Sequence, residues 1–109
     1  MSYSHRIADL QLAERLEAFG AVLIEGPKWC GKTTTAEQMS KSVIKMQDTE
    51  MQEEYAATAA SKPSLLLMGE TPRLIDEWQD APVLWDAVRT MVDKRQVPGQ
   101  FILTGSTVV

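Results

Sequence analysis

Residues 26–33 read Gly-Pro-Lys-Trp-Cys-Gly-Lys-Thr and follow directly on the apolar run Ala21-Val22-Leu23-Ile24. Glycines at the first and sixth places, with Lys-Thr closing the string, form the pattern of a phosphate-binding loop (P-loop) at the exit of a strand. Gly26 and Gly31 let the backbone curl around an anion without Cβ clashes, partly at φ > 0. The curl points several N–H groups inward as a nest. A helix starting near Lys32 aims its positive dipole end at the same point. Lys32 then reaches β- and γ-phosphate oxygens, and the Thr33 hydroxyl is the candidate Mg²⁺ ligand. The candidate contact set is Gly26, Pro27, Lys28, Trp29, Cys30, Gly31, Lys32, Thr33 and Thr34. The bland alternative is a glycine-rich turn with a solvated lysine. The strand before the loop and the helix-compatible residues after it disfavour that alternative.

A second group is Leu74-Ile75-Asp76-Glu77. A buried strand ending in a carboxylate is how a P-loop protein holds Mg²⁺ through a water. In open parallel sheets, ligands gather at the carboxyl ends of the strands, which brings Asp76 and the P-loop to one edge. Asp76 is the second candidate metal residue, and Glu77 the candidate base that polarises an attacking water. Without the P-loop upstream, the same four residues would read as the start of a polar loop. Thr104-Gly105-Ser106 ends a further apolar run, Phe101-Ile102-Leu103. A hydroxyl there can approach the γ-phosphate or the attacking water, although Thr, Gly and Ser are also ordinary turn residues. Whether Thr104 or Ser106 is the polar reader stays open at this stage.

Other conspicuous residues read more plainly. Cys30 beside Lys32 has a route to a lowered pKa and to oxidation that blocks the phosphate pocket; a small residue that fits the loop is the simpler account. Trp29 can stack on a base, or pack beside the loop. Trp78 and Trp85 fit the core or its rim. His5 has no partners at metal-ligand spacing, and the acidic stretch 48–54 reads as a solvated face.

These groups need strands and helices to position them. Leu12, Leu16 and Phe19 make one apolar face of a helix over about 8–19, with Gly20 at the helix C-cap position. The unbroken run 21–25 suits a strand covered on both faces. A helix follows over 32–41, then a strand over 42–47. Thr49 and Gln52 match a capping box that starts a helix near Glu50. Pro63 ends that region, and 64–68 either extends the helical region or forms a short turn of helix. A third strand spans 73–76. Asp80-Ala81-Pro82 resembles an N-cap with proline in the first turn. Behind it, Val83, Leu84, Ala87, Val88, Met91 and Val92 form a broad core-facing stripe. Pro98-Gly99 turns the chain into a fourth strand over 100–104. Strand–helix alternation predicts an α/β fold with a parallel sheet and right-handed crossovers.

The 109 residues suit one small domain, and 44% hydrophobic residues suffice for a core. A net charge of −4 argues against broad attraction to nucleic acid or to an anionic membrane. One cysteine excludes an internal disulfide and fits a reducing compartment. No apolar segment approaches the roughly 20 residues that cross a bilayer. The expectation is a cytoplasmic protein.

The ordered set is more specific than any single motif. It comprises Leu12-Ala13-Glu14-Arg15-Leu16, the loop 26–33, Arg73-Leu74-Ile75-Asp76-Glu77-Trp78-Gln79 and Phe101-Ile102-Leu103-Thr104-Gly105-Ser106. In these the chain resembles the N-terminal part of prokaryotic AAA-type P-loop ATPases, in the group that carries a C-terminal domain of unknown function. The resemblance implies a three-layer P-loop NTPase sandwich, ATP and Mg²⁺ as ligands, and Thr104 or Ser106 as γ-phosphate sensor. It implies the sheet order 5-1-4-3-2, with about four strands here and the fifth strand and helical lid missing. Lys28, Trp29 and Cys30 depart from the Arg-Gly-Val or Arg-Gln-Val more usual at that place. Relatives continue past the sensor strand with an arginine finger for a neighbouring subunit, and none of the arginines here fits that position. The expectation is a truncated domain over 1–109, able to self-associate through an exposed sheet edge or through neighbouring subunits. Mg²⁺-dependent ATP hydrolysis is the leading function. A nucleotide-binding module with negligible turnover is the alternative, and a P-loop kinase fits less well because no acceptor pocket or arginine-bearing lid is visible. Absence of an N/T-K-x-D string favours ATP over GTP.

Overall fold

A computed structural model describes the backbone of residues 5–26 and 32–106, and the side chains of 11–26 and 34–106. In chain order the elements are α1 (His5–Ala18), β1 (Ala21–Gly26), α2 (Lys32–Met39), β2 (Ser42–Lys45), α3 (Gln52–Ser61), a 3-10 turn (Pro63–Leu67), β3 (Arg73–Asp76), a second 3-10 turn (Trp78–Asp80), α4 (Val83–Arg95) and β4 (Phe101–Ser106). The strands form one parallel sheet in the order β1-β4-β3-β2. That order matches the expected arrangement, with β1 at an edge.

Alternation along each strand divides the core in two. On one face Val22, Leu74 and Ile102 pack with Leu12 and Leu16 of α1 and Ala36 of α2. On the other, Ile75, Phe101 and Leu103 pack with Leu84 and Val88 of α4, Ala59 of α3, and Leu66 and Leu67 of the first 3-10 turn. The result is a three-layer α/β arrangement. β3 and β4 run through its centre, where Leu74, Ile75, Phe101 and Ile102 are fully buried.

Several local expectations are corrected. Phe19 is 59% exposed rather than part of the α1 stripe. Its N–H still closes on Arg15 O, but its carbonyl accepts from Gly99 N at 2.9 Å, so the chain has already turned toward β4. Gly20 is no left-handed helix cap, since positive φ among the described glycines occurs at Gly69 and Gly99. It is needed because a Cβ there would lie 2.4 Å from Val92 Cγ1. β1 is not covered on both faces. Leu23 is exposed at the edge, beside an apolar groove shared with Leu103, Val88, Val92 and Trp85.

The capping box at Thr49 does not form. α3 starts at Gln52 with Met51 as N-cap and no side-chain cap. Asp48 organises the entry instead, its Oδ1 accepting from Glu50 N and its carbonyl from Met51 N and Gln52 N. This is an Asx-type turn that outcompetes the threonine. Asp80 belongs to the second 3-10 turn, and Pro82 is the N-cap of α4. β4 runs on to Ser106, so Thr104, Gly105 and Ser106 are strand residues paired with β1 rather than a closing turn.

Candidate functional site

The face that packs on α1 and α2 carries the polar ends of β3 and β4. Asp76 follows Leu74 by two residues, and Thr104 and Ser106 follow Ile102 by two and four, so all three share that face. The register sets Asp76 beside Thr104, Thr104 beside Ile24, and Ser106 beside Gly26. Gly26, the first residue of the P-loop motif, is therefore a neighbour of Ser106. α2 begins at Lys32, the seventh residue of the motif. Every strand here is parallel, so these positions lie at one carboxyl edge.

Thr104 is fully buried. Its hydroxyl donates to Asp76 Oδ1 at 2.6 Å and accepts from the Glu77 N–H at 3.4 Å. Glu77 is a left-handed non-glycine residue, φ 59° and ψ 53°. Such a conformation costs about 1–3 kcal/mol and persists where the surroundings over-determine it. Its carboxyl group is held at both ends: Oε2 accepts from Ser106 Oγ at 2.8 Å and Oε1 from Gln79 Nε2 at 2.7 Å. Glu77 is only 5% exposed, so these charge-assisted hydrogen bonds act in a water-poor place.

Thr104 and Ser106 thus attend different carboxylates, Asp76 and Glu77 respectively. Lys45 stands beside Asp76 in the β2–β3 register. Its ammonium bonds Glu37 Oε2 at 3.0 Å, and that bond, with the attraction of the Glu37 carboxylate, raises the Lys45 pKa.

Of the sequence-predicted contacts, Pro27, Lys28, Trp29, Cys30 and Gly31 lie outside the described residues, as do the side chains of Lys32 and Thr33. Thr34 is exposed on α2, one residue before the buried Thr35 and Ala36. Gln79 carries no role in the sequence reading, yet it holds Glu77. Its spacing, two residues after the glutamate in a turn, is the only sequence signal for that contact. Among the described residues, no three His, Cys, Asp or Glu side chains converge to hold a metal ion, and no helix is long and apolar enough to cross a membrane.

Residues 18–109 match the AAA domain family. The chain is 32% identical over 107 residues to an uncharacterized protein of Mycobacterium tuberculosis, and equally to one of Mycobacterium bovis. Each alignment covers 97% of this chain, which spans about a quarter (24%) of the relative's length. No solved structure matches. With strand order and family match in agreement, the chain belongs to the AAA-type P-loop ATPase domains.

Proposed function

We propose that this chain binds ATP with Mg²⁺ and hydrolyses the β–γ bond, Glu77 orienting and deprotonating the attacking water. The observation that carries the reading is convergence. Asp76 and Glu77 stand at the carboxyl end of β3, Thr104 and Ser106 at that of β4, which pairs with β1 at Gly26, and α2 opens at Lys32. Among the described residues, the N-terminus of α2 suits a phosphate and the Asp76 carboxylate suits a cation, as a nucleotide–magnesium pair requires.

Lys32 and the backbone amides of the motif would hold the phosphate tail. Asp76, held by Thr104, and Thr33 would hold the cation. Mg²⁺ would supply charge neutralisation to the phosphates when bound. Glu77, fixed by Ser106, takes the proton of the water. Catalysis of this kind is mostly positioning and electrostatics, so the over-determined Glu77 is where the reading places the rate.

Nucleotide titration and single-turnover phosphate release decide it, measured for wild type, Lys32→Ala and Glu77→Gln. The expected result is binding lost in Lys32→Ala, and binding kept with release sharply reduced in Glu77→Gln. Tight binding with equal, negligible release in wild type and Glu77→Gln identifies a nucleotide-holding module instead. Binding undiminished in Lys32→Ala refutes both readings.

A further inference from the structure

We propose that Gln79 is a positioning residue for Glu77, acting through its side-chain amide; this rests on the reading of Glu77 as the water-activating base. The amide's orientation is dictated from one side. A carboxylate only accepts, so the group 2.7 Å from Glu77 Oε1 is the Gln79 NH₂. The Gln79 carbonyl oxygen must then point the other way. There it is buried without a protein partner, as is the Trp78 indole nitrogen. Both lie against Gly105, where a Cβ would come within 3.1 Å of Gln79 Oε1 and 3.0 Å of Trp78 Nε1.

Gln79 therefore reaches the site from the opposite face of the sheet. Trp78 packs against the α4-side core, whereas Ser106 approaches Glu77 from the α2 side. The 3-10 turn Trp78–Asp80 wraps the end of β4, and the bare backbone of Gly105 lets it come close. One carboxylate is pinned across the strand end by two donors from two faces. A carboxylate offers about four lone-pair sites, so two such bonds fix its plane without needing every site. Losing the Gln79 donor loosens that hold, and small misplacements of a catalytic group cost up to about a hundredfold in rate.

The test separates the amide from mere bulk. Gln79→Met keeps the volume and loses the donor; Gln79→Ala loses both. Both variants should bind ATP like wild type and release phosphate about tenfold or more slowly in single turnover. A Gln79→Met protein as fast as wild type, with Glu77→Gln inactive, overturns the proposal. If Glu77→Gln turns over like wild type, it is the base reading that fails. A measurement independent of turnover then still decides whether the contact holds. In a urea-unfolding cycle of Glu77→Met, Gln79→Met and the double variant, the losses in folding equilibrium constant should fall short of multiplying by about tenfold. Losses that simply multiply overturn the clamp.

Discussion

Thr104 lies beside Asp76 across the β3–β4 register, and its hydroxyl links two consecutive acidic residues, donating to Asp76 Oδ1 and accepting from the Glu77 amide. The side chain is fully buried, so a replacement that lacks the hydroxyl takes a donor from Asp76 and an acceptor from the Glu77 amide. Thr104→Val, nearly the same shape, should lower the unfolding free energy by about 1–3 kcal/mol in urea titrations. Thr104→Ser keeps the hydroxyl and loses one buried methyl, about 1 kcal/mol. Equal stability of the valine variant and wild type would show that the bridge contributes nothing to the fold.

Gly105 tests the same edge from the other face. Its φ is not in the left-handed region, so the cost of Gly105→Ala is steric: Trp78 Nε1 and Gln79 Oε1 must each yield by a few tenths of an ångström. Overpacking of this size costs about 1–3 kcal/mol. On the proposed role of Gln79, phosphate release should slow while ATP affinity holds. A thermally weakened variant with wild-type single-turnover rate would mean that the 3-10 turn shifts without moving Glu77.

How far the sequence carried the fold depended on the kind of signal. Leu74-Ile75 between Pro72 and Asp76 leaves room only for a short buried strand, and the paired apolar residues from Val83 to Val92 admit one helix face. Both elements form, with Leu84 and Val88 of the stripe buried, but Val83 is 45% exposed at the start of α4 and lies outside the core face. Thr49 failed as a cap because Asp48, one residue earlier, offers the backbone a competing acceptor. Exposure of Leu23 and Phe19 depends on which strand ends at an edge and where α4 stops covering it, properties of assembly rather than of local pattern. At the site, residue types named Asp76, Glu77, Thr104 and Ser106. The partition of the two hydroxyls between the two carboxylates needed the register. The part played by Gln79 needed the left-handed turn at Glu77, which no residue type announces.

The pair Lys45–Glu37 gives a pH-dependent expectation. The Lys45 pKa is raised above its usual 10.5 by the hydrogen bond and charge of Glu37. A base whose folded pKa is raised stabilises the fold fully below its unfolded pKa. That contribution is lost as pH rises through the folded value, so the window opens above about 10.5. Both side chains are near half exposed, 51% and 40%, and solvent screening holds the contribution to a few tenths of a kcal/mol. Glu37→Gln should flatten this alkaline slope, change stability at pH 7 by less than about 0.5 kcal/mol, and show less effect at high salt. A loss above 1 kcal/mol at pH 7 would contradict the solvated geometry.

Gly20 and Val92 provide a test of packing alone. A Cβ on Gly20 meets Val92 Cγ1 at 2.4 Å, Cγ2 at 3.1 Å and Cβ at 3.3 Å. Rotation of Val92 is resisted, because a β-branched side chain on a helix has one strongly preferred χ1. Backbone movement is also resisted, since the Gly20 carbonyl accepts from both Gln100 N and Phe101 N at the entrance to β4. Gly20→Ala should therefore destabilise by about 1–3 kcal/mol. Val92→Ala removes both offending methyls, and the two substitutions together should cost less than their separate effects added. Thermal or urea unfolding of the three variants measures this. Strict additivity would place the strain of Gly20→Ala somewhere other than the contact with α4.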